Sequence, residues 1–94
     1  FEIPTESVAA LAAHPNIVGI KDSSGSAQQI SAFLSCSAPH RSKFAVMTGS
    51  ASDLITHVKL GAEGAILAVA NVAPDECATV IETHDASVSA RVTK

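Results

Sequence analysis

Three short apolar runs, Asn16–Lys21 (NIVGIK), Phe44–Thr48 (FAVMT) and Gly64–Val69 (GAILAV), show no alternation of polar and apolar positions. Runs of that kind, bounded by turn residues, predict strands covered on both faces, as in parallel sheets. Small or polar residues follow each run: DSSGS, GSAS and ANVAP. Helical spacing comes next. Ile30, Phe33 and Leu34 recur at i, i+3 and i+4; Leu54, Ile55 and Val58, then Cys77, Val80, Ile81 and His84, mark two further helices. The predicted elements are helix 5–13, strand 16–21, helix 26–36, strand 44–48, helix 51–60, strand 64–70 and helix 74–85. Ser50 and Asp53 form an S-x-x-D capping-box signature, and Gly61 stands where a C′ glycine belongs. Pro74 suits a first helical turn, and His14-Pro15 stops the first helix.

The order α-β-α-β-α-β-α fits either an open doubly wound sheet or a closed (β/α)8 TIM barrel. Successive runs start 28 and 20 residues apart, near the repeat of a βα unit. The outer runs are as apolar as the middle one, so they are not the charged edges of an isolated sheet. Further strands on both sides are the expectation. A full barrel takes roughly 250 residues. The 94 residues, which begin at Phe1, then read as a partial TIM-barrel domain of an α/β protein holding about its last three βα units.

Composition narrows the partners. A net charge of -3 with Lys+Arg 6 gives no basic cluster for nucleic acid or an anionic membrane. The run Ala65–Ala70 is far shorter than the roughly 20 residues a spanning helix needs. Cys36 and Cys77 lack metal-type spacing and fall on apolar helix faces, which favours two reduced, buried thiols over the alternative of a disulfide. His14, His40, His57 and His84 are scattered without ligand-like pairing, so neither a metal nor a cofactor is expected. A cytoplasmic or mitochondrial location, not secretion, is the expectation.

The chemistry lies at the strand ends, because a parallel βα protein builds its active site at their carboxyl termini. Lys21 is the only cation there, directly after Ile17, Val18 and Ile20. An amine so placed can condense with a ketone to form an electron-withdrawing iminium. It must first be neutral: with a reference value of about 10.4, only ~0.1% of free lysine is neutral near pH 7.4, a deficit of ~4 kcal/mol. An apolar strand end at a barrel mouth is expected to supply the desolvation, with Asp22 pointing to the opposite face. The competing reading is a lysine that snorkels to the surface and pairs with Asp22. On pattern alone both stand.

Three blocks, NIVGIKDSSG, MTGSASDL and LGAEGAILAVANVAP, resemble the carboxyl-terminal half of the pyruvate-dependent Schiff-base aldolase family. That family contains dihydrodipicolinate synthase, N-acetylneuraminate lyase and 4-hydroxy-2-oxoglutarate aldolase. The resemblance implies that Lys21 forms the Schiff base with pyruvate or another 2-oxo acid and that Ser23 follows it in the pocket. It also implies that the Gly49 backbone lines the site, with Ser50 beside it, and that the Ile66 main chain lies near the bound pyruvate unit. A homo-oligomer, tetrameric by family, is implied for the whole protein. The family's proton-relaying tyrosine and its carboxylate-holding hydroxyl pair lie on earlier segments, and this chain has Tyr 0. The 94 residues alone are therefore expected to be nearly inactive. Ser50, Ala51 and Ser52 replace the acidic residues of sialate-cleaving members. With KDS, this turn looks more like 4-hydroxy-2-oxoglutarate aldolase, then dihydrodipicolinate synthase.

Rival uses of the same turns are an anion-binding βα module, since Gly25-Ser26 and Gly49-Ser50 open helices, and a non-catalytic segment that associates through its edges. A hydrolase lacks support because no G-x-S-x-G is present.

Overall fold

The computed structural model of the protein describes residues 3–84. Helix α1, Thr5–Ala12, starts where the Pro4 carbonyl accepts from the amides of Ser7 and Val8, and it buries Val8 and Ala12. Those two residues are four apart and so share one face. Strand β1, Gly19–Asp22, follows, and then helix α2, Ala27–Cys36. The Ser26 hydroxyl caps α2 by accepting from the Gln29 amide at 3.1 Å. Ile30 and Phe33 form its buried stripe. Strand β2 is Ala45–Thr48, helix α3 Leu54–Leu60, strand β3 Gly64–Ala65 and helix α4 Pro74–Thr83.

The sheet order is β1-β2-β3 and both pairings are parallel. Lys21 registers with Met47 and Asp22 with Thr48; Met47 registers in turn with Gly64, and Thr48 with Ala65. Because side chains alternate along a strand, Ile20, Asp22, Val46, Thr48 and Ala65 face one way. Gly19, Lys21, Ala45, Met47 and Gly64 face the other. All four helices serve the first face. Phe33 and Phe44 close a core with Val8, Ile30 and Val46; a second core gathers Leu54, Val58, Leu67, Cys77 and Val80. Burying each large side chain contributes roughly 1.5–3 kcal/mol. Both cysteines are free, and burial pushes their thiols up from the usual range, with Glu76 adding to the effect at Cys77.

Four sequence expectations need correction. The strand expected over 64–70 forms only at Gly64–Ala65 and gives way to a 3₁₀ turn, Ala68–Asn71. Strand β2 ends at Thr48, so the Ile66 amide, bonded to the Thr48 carbonyl at 3.0 Å, is the last to find a partner. The helix expected over 51–60 begins at Leu54, which puts the capping box out of register. Asp53 occupies the N-cap but makes no side-chain cap; its carboxylate accepts from the hydroxyls of Ser50 at 2.8 Å and Ser52 at 3.3 Å. The sheet is covered on one face, not both: the two cores gather helix-side residues, and Lys21 on the other face is exposed. Strand β1 begins at Gly19 rather than 16, although the Val18 carbonyl already accepts from the Ala45 amide at 2.9 Å. The final position of the helix expected over 74–85, and the tail to Lys94, lie outside the described residues.

Gly61 closes α3 at φ 119°, a conformation that favours glycine, and Pro74 opens α4. Another residue fixes where β1 starts. The Lys43 ammonium donates to the carbonyls of Ala12 at 2.7 Å, His14 at 2.9 Å and Ile17 at 3.4 Å. It thereby satisfies the end of α1 and fastens the loop that delivers β1 to the sheet. Replacement Lys43→Met keeps the aliphatic stem and removes all three bonds. The expected cost is about 1 kcal/mol, read as a lower urea midpoint with an unchanged slope.

Candidate active site at the strand ends

The carboxyl ends of β1 and β2 are drawn together by one main-chain bond: the Gly49 amide donates to the Asp22 carbonyl at 2.8 Å. Asp22 itself points into the helix side and is buried, where its carboxylate accepts from the Ser24 amide at 3.3 Å and the Ser24 hydroxyl at 2.7 Å. This rules out the surface pairing of Lys21 with Asp22. Among the described residues the ion pair is Arg41–Glu63, at the other end of the strands.

On the open face Lys21, Ser23 and Gly49 converge. A methyl group on Gly49 would collide with the Ser23 hydroxyl and would stand 3.1 Å from Ser23 Cβ and 3.4 Å from Lys21 Cε. Glycine is needed because the serine and lysine fill the space beside its Cα. Ile66 stands two residues past Gly64 and is exposed. Ser50 stands next to Gly49. Its hydroxyl donates to Asp53 and its amide donates to Thr48 Oγ1 at 3.1 Å, so its polar groups serve the turn.

One further correction concerns burial. The sequence reading expects Lys21 in a dry strand-end setting, yet Lys21 is exposed. It lies on the uncovered face beside Met47, its partner in register, with Ser23 and Gly49 next to it at the strand end. A cavity of about 350 Å³ opens along the free edge of β1, bordered by Ile3, Ile20, Lys21, Ser23, Gln29 and Phe33. Ile20, Gln29 and Phe33 place this cavity chiefly on the helix side of β1, with Lys21 at its border.

Sequence reasoning passed over a buried pair behind this wall. Thr48 Oγ1 lies 2.7 Å from His57 Nδ1, and both residues are wholly buried. The available signal was position: His57 shares the apolar stripe of α3 with Leu54 and Val58, at i+3 and just before i+4.

A parallel βα layer with Lys21 and Gly49 at its strand ends fits the (β/α)8-barrel class, and superposition on solved structures assigns the chain to it as three βα units. Comparison with known proteins specifies it. The sequence pattern of the Dihydrodipicolinate synthetase family matches residues 1–94, and the chain belongs to that family. It is 37% identical over 73 residues to 4-hydroxy-tetrahydrodipicolinate synthase of Stenotrophomonas maltophilia strain K279a, covering 78% of this chain and 24% of the relative. To the enzyme of that name from Xylella fastidiosa it is 42% identical over 69 residues, covering 73% and 22%. The fold superposes on the crystal structure of a dihydrodipicolinate synthase-type protein from Thermus thermophilus with TM-score 0.78 and 38% identity, covering 99% of this chain and 31% of that one. A dihydrodipicolinate synthase from Thermotoga maritima gives 0.75 and 31%, over 94% of this chain and 31% of its own. The chain thus spans about a quarter of the curated relatives and a third of the solved ones.

The packing at Gly49 has a measurable consequence. Gly49→Ala should destabilise the protein by about 1–3 kcal/mol, because Ser23 Cβ cannot rotate away as its hydroxyl can. Ser23→Gly removes the obstacle. In a double-mutant cycle followed by urea unfolding, the pair should recover at least about 1 kcal/mol relative to the sum of the single changes.

Proposed function

We propose that this chain carries the Schiff-base lysine of a pyruvate-dependent lyase, and that Lys21 is that lysine. The observation that supports it is the convergence of Lys21 Cε and Ser23 on Gly49 at the carboxyl ends of parallel strands. In its neutral form the Lys21 nitrogen attacks the ketone carbon of pyruvate, a C–N bond forms, and the carbonyl oxygen leaves as water. The iminium acidifies the adjacent methyl group. Loss of a proton gives an enamine whose carbon adds to an electrophilic partner, and the reverse sequence cleaves a carbon–carbon bond.

The relatives described above are named 4-hydroxy-tetrahydrodipicolinate synthase, which supports that reaction ahead of 4-hydroxy-2-oxoglutarate aldolase, the preference drawn from the serine turn. The chain contains no tyrosine; the hydroxyls of Ser50 and Ser24 are bonded to Asp53 and Asp22, and the Ser23 hydroxyl beside Lys21 lacks the acidity of a phenol. Proton relay and carboxylate binding therefore fall to groups outside these 94 residues, which alone should turn over negligibly. Association of the whole protein into a homo-oligomer belongs to the same proposal.

An anion-binding module is less well supported. The Asp53 carboxylate sits at the entrance of α3, where it would repel an anion, and Ser26 already occupies the Gln29 amide of α2.

The test uses the protein as its cell produces it. Treatment with pyruvate and borohydride should reduce the C=N bond and leave a stable pyruvyl-derived adduct on Lys21, located by peptide mass spectrometry. Lys21→Arg should abolish both adduct and turnover, since a guanidinium forms no such iminium. An unlabelled Lys21 beside labelled Lys43 or Lys59 would falsify the reading.

A further inference from the structure

We propose that His57 is a positioning residue that sets the Gly49–Ser50 turn through the Thr48 hydroxyl. Only the kinetic part of this proposal rests on the Schiff-base reading above. Three observations lead to it: Thr48 Oγ1 and His57 Nδ1 are 2.7 Å apart, the Ser50 amide donates to the same oxygen at 3.1 Å, and His57 Nε2 is buried without a partner.

Counting donors and acceptors selects the tautomer. With the proton on Nε2, Nδ1 accepts from the Thr48 hydroxyl, whose oxygen accepts from the Ser50 amide. One group, Nε2–H, is then left over. With the proton on Nδ1, the threonine oxygen receives two donors and its own hydrogen has no acceptor, while Nε2 becomes a bare acceptor. Two groups are then unmet, each in a wholly buried setting. The first arrangement prevails.

It also gives the imidazole a task. A lone threonine hydroxyl can swing toward a neighbouring backbone acceptor. By taking its hydrogen, His57 aims the oxygen lone pair at the Ser50 amide and so holds the peptide that follows Gly49. That peptide lies behind Ser23 and Lys21 on the open face. Since a misplacement near 1 Å can cost about a hundredfold in rate, a modest slackening of this turn should be visible in catalysis.

The test begins with the wild-type protein. Nitrogen-15 NMR of the His57 ring should show the Nε2–H tautomer with a hydrogen-bonded Nδ1; the Nδ1–H tautomer would overturn the proposal. His57→Phe and Thr48→Val should each slow pyruvate-dependent trapping at Lys21 by roughly tenfold, well below the melting temperature and with half-saturation changed by less than about twofold. The double variant should be no slower than the worse single one. In His57→Asn the side-chain oxygen replaces Nδ1 as acceptor, and trapping should return to within about threefold of wild type. Unchanged trapping in both single variants, or effects that multiply, would sink the idea. Should wild type trap no pyruvate, the Schiff-base reading fails separately, and hydrogen exchange at the Ser50 amide decides this one. That exchange should be roughly tenfold faster in Thr48→Val than in wild type and His57→Asn, and equal rates in all three refute it. The Thr48→Val and His57→Asn comparison also stands if His57→Phe does not fold.

Discussion

One backbone hydrogen bond, from the Gly49 amide to the Asp22 carbonyl, holds the ends of β1 and β2 in line, and the site is built on that alignment. Parallel register puts Lys21 beside Met47 and Asp22 beside Thr48. A one-residue slip would send Lys21 into the helix layer and turn the Asp22 carboxylate to the open face. The register is fixed because the slip would bury an ammonium among Ile30, Phe33 and Val46. Gly49 converts alignment into convergence, since the missing Cβ lets Ser23 and Lys21 close over its Cα.

The period of two along each strand separates support from chemistry. Asp22, Thr48 and Ala65 face the helices, and the polar groups of the first two are hydrogen-bonded. Lys21, Gly49 and Ile66 lie on the other side, where Lys21 and Ile66 are exposed and Gly49 alone is constrained by its neighbours. The turns after the strands repeat this division. Asp22 organises the turn after β1 through Ser24, and Asp53 gathers the hydroxyls of Ser50 and Ser52 in the turn after β2. Of the two serines that suggested substrate contacts, Ser50 is occupied in shaping its loop, while Ser23 stands beside Gly49 on the open face.

Much of this was legible in the residues. The unbroken apolar runs before Lys21 and Thr48 mark parallel strands, and the small residues after them mark the pocket floor. Asp22 turns away from Lys21 as strand geometry requires. Gly61 and Pro74 bound their helices because each solves a backbone problem that is local in sequence. What stayed hidden depends on the third dimension. The run from Gly64 to Ala70 looks like a strand, but its end is decided by where β2 stops offering carbonyls. Thr48 and His57 meet only because β2 and α3 pack together, and neither residue shows that partnership in its own segment. The exposure of Lys21 is hidden for a related reason: an apolar strand covers one face, whereas a dry pocket needs walls from several.

That last point divides the catalytic requirements. A free lysine amine is almost wholly protonated near neutrality, so a nucleophilic lysine needs a surrounding that penalises charge. On the proposed reading these three βα units would supply the nucleophile and its orientation beside Gly49, while the face carrying Lys21 lies open. Orientation is local: it follows from the register of two strands and one glycine. Desolvation is collective, because it grows only as further strands close over the same face. A chain spanning about a quarter of its curated relatives can therefore hold the register that orients Lys21, while the desolvation of that amine depends on what encloses its face.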